Sequence, residues 1–100
     1  MAQQLEYSAE LNAISRALSM VQSVAELSKS PPFNLDRFEF CKRQIQNLTL
    51  PDSEMKRNQN ILKRASRFVE FGEFGAVRFE LKLLARNLKS LLSPYDQRSI

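Results

Sequence analysis

The chain contains no histidine, which removes the commonest general base and the commonest metal ligand, so histidine-dependent catalytic triads are excluded. Its single cysteine, Cys41, permits no intrachain disulfide, so the fold has to stand on packing alone, and a reducing, cytoplasmic setting is expected. One cysteine without histidine cannot build a zinc site, and the carboxylates show no calcium-loop spacing, so no metal and no cofactor is expected. Two glycines and four prolines are too few for a loop-rich or all-β chain. The amino-terminal MAQQLEYSAE lacks the basic-then-apolar pattern of a secretory signal. The longest uncharged apolar-rich stretch, Ala17 to Ala25, is interrupted by Ser19, Gln22 and Ser23 and falls well short of the ~20 residues of a membrane span. A soluble protein without a membrane partner is expected.

What is present favours helices. The chain has 100 residues, 43% of them hydrophobic, enough to bury one core. Leu, Ala, Glu, Lys, Arg, Gln and Ser fill the runs between the breakers. Tyr7, Leu11, Ile14, Leu18, Val21 and Ala25 recur at spacings of three and four, which predicts a first helix from near Gln4 to Lys29. A second stripe, Ala13, Ala17, Met20, Val24 and Leu27, widens its apolar arc to roughly 200° and suggests a central helix. The opposite arc, Ser8, Asn12, Ser15, Ser19, Gln22 and Ser23, is polar but nearly uncharged, suiting either solvent or another protein.

Ser30, Pro31 and Pro32 stop that helix. Asn34 is an N-cap candidate, with Phe33 and Phe38 placed for a hydrophobic staple and Asp36 in the first turn. The second helix spans Leu35 to about Asn47 on a core stripe of Leu35, Phe38, Cys41, Ile45 and Leu48, leaving Phe40 as an apolar outlier. Thr49 and Asp52 resemble a capping box for a third helix from near Pro51 to Phe71, with Met55, Ile61, Leu62, Ala65, Phe68 and Val69 inward and Gly72 as its cap. The turn FGEFG leads to a fourth helix, on Phe74, Val77, Leu81, Leu84, Leu88 and Leu91, ended by Ser93 and Pro94. The expectation is an all-α fold, a compact bundle of four antiparallel helices in one domain over residues 1–94, with 95–100 a frayed tail.

No catalytic residue emerges. Cys41 reads as a small buried hydrophobe, and the Gly72/Gly75 pair reads as a helix cap and tight turn rather than a phosphate loop. No enzymatic activity and no small-molecule substrate is expected.

The remaining signal is charge. Residues 1–35 hold two cations against three carboxylates, whereas residues 36–100 hold thirteen cations against eight carboxylates. Lys56, Arg57, Lys63, Arg64 and Arg67 fall within an arc of about 120° on the third helix, with Asn60 among them. Arg78, Lys82, Arg86 and Lys89 fall within about 80° on the fourth, while Glu80 points elsewhere. Phe79 and Leu83 stand beside that stripe, off the core face, so cations and apolar side chains interleave. Closely spaced cations displace counterions from phosphates, and an exposed aromatic stacks on a base or docks on protein. Two readings stay open. In one, the nine cations contact the backbone of nucleic acid, DNA or RNA, without reading sequence. In the other, Phe40, Phe79 and Leu83 anchor a protein partner and the charges orient it. Cations that merely solvate the outer faces are the bland alternative to both.

With its size, helicity and basic later helices, carried by KRNQNILKRASR at 56–67 and VRFELKLLARNLKSLL at 77–92, the chain resembles the small helical subunits of CRISPR effector complexes. That resemblance, one of architecture and charge, implies a non-catalytic RNA-binding or DNA-binding subunit of an antiviral defense assembly. It would pack beside copies of itself or other protein subunits and lend Lys and Arg to guide or target strands. The nearly uncharged polar face of the first helix departs from that pattern.

Overall fold

Helices form where the three-and-four apolar spacing runs unbroken: α1 (Ala2–Leu27), α2 (Leu35–Gln46), α3 (Asp52–Glu70) and α4 (Phe74–Arg98). The structure, a computed structural model, describes the backbone of residues 2–98 and the side chains of residues 9–92, and among these there is no strand. The expected seam position Tyr7 and polar-arc Ser8 lie outside the described side chains. No described helix is long and apolar enough to cross a membrane.

Each helix packs on two others. α1 lies against α2 and α4, α3 lies against α2 and α4, and among the described residues the α1/α3 and α2/α4 diagonals make no backbone-level contact. With short connections this is an antiparallel four-helix bundle, the fold class expected from the sequence. Its interior is one cluster in which Val21, Phe38, Ile45, Ala65, Val77, Leu81, Leu84 and Leu88 are sealed from solvent. Both α1 stripes are used, with Ile14, Ala17, Val21, Val24 and Ala25 buried, although Leu27 at the end of the second stripe is exposed.

The start of α2 is built by local chemistry. Asn34 is extended (φ −89°, ψ 91°), and its Oδ1 accepts from the Arg37 amide at 3.0 Å. That bond satisfies one of the amides a helix start leaves without a partner. The Phe33 and Phe38 rings meet at 5.8 Å as the expected staple, and Phe33 also stacks on Phe74 at 4.8 Å, joining the start of α2 to the start of α4. At the end of α3, Gly72 adopts φ 70°. The Gly72 amide bonds the Val69 carbonyl at 3.1 Å and the Glu73 amide bonds the Phe68 carbonyl at 2.9 Å, the paired bonds of a Schellman ending.

Three expectations are corrected. Leu35 is 50% exposed, because a helix's first residue reaches past the core that Phe38 enters. No Thr49–Asp52 capping box forms: Pro51 is the extended N-cap residue (ψ 149°), its carbonyl takes the Glu54 and Met55 amides at 3.0 Å, and Thr49 sits too far upstream. α4 continues through Pro94 to Arg98, since proline's fixed φ is itself helical and only one amide donor is lost. The tail is therefore helical to Arg98, and Ser99 and Ile100 lie outside the described residues. Sequence periodicity does not single out Asn58, yet it sits among the core residues of α3 with 1% exposure, and neither its Oδ1 nor its Nδ2 has a hydrogen-bond partner.

Two predictions follow from these backbone and core positions. A Cβ at Gly72 would meet nothing within 4 Å, so Gly72→Ala should lose about 1–2 kcal/mol through the left-handed backbone alone. In contrast Gly75→Ala, inside α4 with only Arg78 Nη2 at 4.0 Å, should be neutral or gain up to about 1 kcal/mol in denaturant titrations. Because a buried unpaired amide costs roughly 1–3 kcal/mol, the near-isosteric Asn58→Leu should raise the unfolding midpoint; a lower midpoint would show the amide to be satisfied in solution.

Candidate nucleic-acid interface

The α3 cations separate by flank. Lys56, Lys63 and Arg67, with Asn60 between, follow one another at helical spacing on the outer side of α3 and are exposed. Lys63 and Arg67 form one wall of a groove of about 440 Å³ between α2 and α3, lined also by Lys42, Gln46, Gln59, Leu62 and Ser66. No carboxylate lines it. Lys42 was not among the cations expected from the sequence, yet it is the best fixed of them. Its Nζ donates to Ser66 Oγ across the groove at 3.1 Å, lies 3.4 Å from Glu39 Oε2 and stands 5.9 Å from the Phe38 ring centre. Only its place on α2, opposite Ser66, brings it to the site.

Arg64 is spent differently. Its Nε donates to Glu80 Oε1 at 3.0 Å, tying α3 to α4. Glu80 is buried, and its Oε2 has no partner, so Arg64 is the one cation holding that carboxylate among the described residues. A buried carboxylate strongly disfavours losing its only counter-charge. Arg57, seven residues before Arg64 and so on the same flank, lies 3.8 Å from Glu54. The third-helix set thus divides into three outer cations, one structural cation and one locally paired cation.

The α4 cations occupy another surface. Lys82 lines a cleft of about 310 Å³ between α1 and α4 with Gln22, Ala25, Glu26, Lys29, Leu81 and Ala85. The exposed Glu26 carboxyl is held below its ordinary range, first by its hydrogen bond to Lys29 at 2.8 Å and by that charge, then by Lys82 and Arg78. Arg78 and Lys82 therefore sit near α1, and Lys89, seven residues beyond Lys82, shares their side of α4; Arg86, four residues beyond Lys82, stands nearby and exposed. The two basic faces expected to act together are not brought together.

The apolar candidates also disperse. Phe79 is 62% exposed on α4. Leu83 is half-buried and packs against the core, so it does not stand off the core face as expected. Phe40 is exposed on the α1 side of α2, beside a cleft with Met20, Ser23, Val24 and Arg37, and the Arg43 guanidinium lies 5.9 Å from its ring centre. Since α2 and α4 are diagonal, Phe40 and Phe79 cannot serve one contact patch.

Cys41 is buried on the core stripe, and burial pushes its thiol up to about 12, leaving no nucleophilic thiolate near neutrality. Among the described residues no group of three or more carboxylate or thiol side chains is placed to hold a metal ion. Comparison with known proteins finds no matching family model, no matching curated protein and no matching solved structure.

The Arg64–Glu80 pair gives a stability prediction. Arg64→Ala should cost about 1–3 kcal/mol by stranding a buried carboxylate, whereas Lys63→Ala should stay within roughly 0.5 kcal/mol. Adding Glu80→Gln to Arg64→Ala should restore part of the loss, and equal costs for Arg64→Ala and Lys63→Ala would show the pair to be inert.

Proposed function

We propose that the chain is a non-catalytic nucleic-acid-binding subunit that grips the phosphate backbone between α2 and α3, without reading sequence. The observation that carries this reading is the groove's lining: Lys42, Lys63 and Arg67 stand with the uncharged polar groups of Gln46, Gln59 and Ser66, and no carboxylate lines the groove, although Glu39 Oε2 lies 3.4 Å from Lys42 Nζ. Phosphate oxygens accept from all these groups, and each cation that replaces a condensed counterion contributes sequence-independent affinity. Lys56 extends the cationic line along α3. The α4 cations belong to a separate surface and are assigned no part in the grip. On this reading the chain works inside a larger ribonucleoprotein or effector assembly, with protein subunits or further copies of itself as neighbours, consistent with the CRISPR-subunit resemblance.

The second reading, a helical adaptor without nucleic-acid contact, is favoured by the exposure of Phe40 and Phe79. Their separation means that it would need two partner surfaces.

Fluorescence anisotropy of labelled oligonucleotides tests the first reading. Binding should weaken with a log–log salt slope of about −2 to −4, the value for three or four phosphate contacts. Lys63→Glu with Arg67→Glu should abolish it in a folded protein, while Lys82→Glu with Lys89→Glu should leave it largely intact. Arg64 is excluded from the variant because its loss strands Glu80. No binding at low salt, or binding indifferent to Lys63 and Arg67, would overturn the reading.

A further inference from the structure

Phe71 closes α3 one turn beyond Arg67, about 6 Å farther along the helix axis. Its amide donates to the Arg67 carbonyl at 3.1 Å, which keeps the residue on the helical spiral and beside the line of Lys56, Lys63 and Arg67. It is 73% exposed, more than any other large apolar side chain described. The fold does not call on the ring: the nearby aromatic cluster is complete in Phe33, Phe38 and Phe74, and the Schellman ending needs only the backbone of Phe68, Val69, Gly72 and Glu73. Sequence periodicity places this residue as the last of α3, next to its cap, and gives no reason to examine it.

Resting on the phosphate-grip reading, we propose that Phe71 stacks on an unpaired base, so that the site takes single-stranded nucleic acid, with the phosphates on Lys63 and Arg67 and a base on the ring. Charge supports this division of labour. The cations end at Arg67, and the exposed carboxylates Glu70 and Glu73 flank Phe71. Phosphate is repelled at the ring, whereas the uncharged face of a base is not. Bases in a duplex are already stacked on one another and present only edges, so a duplex gains nothing from Phe71.

Anisotropy titrations of wild type, Phe71→Ala and the Lys63→Glu/Arg67→Glu variant test the proposal, against single-stranded DNA, single-stranded RNA, an abasic strand of equal length and a duplex. Thermal unfolding of each variant checks the fold. Phe71→Ala should weaken binding to base-bearing single strands roughly five- to 150-fold with the salt slope unchanged, and should leave the abasic strand and the duplex unaffected. Phe71→Trp should retain affinity, its fluorescence quenched on binding. Single-strand affinity unchanged in Phe71→Ala, or an equal loss on the abasic strand, overturns the stacking inference. In those cases continued dependence on Lys63 and Arg67 leaves the phosphate reading standing. Absence of binding by wild type removes both.

Discussion

The α4 leucine column constrains everything around it. Val77, Leu81, Leu84 and Leu88 are fully sealed, and α4 packs on both α1 and α3. Each such side chain withdraws on the order of 2 kcal/mol of apolar surface from water. With no disulfide and no metal cluster among the described residues, burial of this column is the main constraint on how α4 is rotated, assisted by the Arg64–Glu80 and Phe33–Phe74 contacts. At about 100° per residue, turning that column inward also fixes the flanks. Lys82 is sent toward α1, where it meets Glu26, and Glu80 is sent toward α3, where it takes Arg64. The divergence of the two basic surfaces is thus a consequence of core packing.

Two buried polar groups run against that apolar logic, and they differ. Glu80 is compensated at one oxygen by Arg64, whose other side remains in water, so the pair links α3 and α4 without burying both charges. Such a link restrains how the two helices slide past each other, because any shift separates a desolvated carboxylate from its only partner. Asn58 has no such compensation among the described residues and sits where periodicity alone would accept a leucine. A buried amide fixes register in helical assemblies through a bond to its partner, and Asn58 makes none among the described residues, so nothing in the structure offsets its cost.

What was legible in the sequence is what depends on one helix at a time. Asn34 as cap, Phe33 with Phe38 as staple, Gly72 as terminator and the stripes through Val21, Ile45 and Leu84 each follow from spacing within a single segment. What was not legible depends on which neighbour lies on which flank. Lys42 joins Lys63 only because α2 crosses beside α3 at Ser66, and Arg64 leaves the outer cations only because Glu80 comes within 3.0 Å. A helical wheel assigns both arginines of α3's second basic cluster, Arg64 and Arg67, to one polar face, but the next helix over decides that one is structural and the other free. Leu83, beside the stripe, is partly buried against the core cluster, which its own helix's spacing does not reveal.

The division of the cations also limits what one copy can do. On the phosphate-grip reading, Lys42, Lys56, Lys63 and Arg67 would meet three or four phosphates, and Lys42 shares its charge with Glu39. Contacts of that number yield modest, salt-sensitive affinity, because the free energy comes from released counterions rather than from base edges. Placing several copies along one strand turns each later contact into an intramolecular one at high effective concentration and multiplies weak grips into stable occupancy. The α4 surface, with Arg78, Lys82, Arg86, Lys89 and Phe79, lies apart from the groove and on that reading would stay free while a strand is held. On the phosphate-grip reading, this is the geometry a repeated subunit needs: one side for the strand and another for its neighbours.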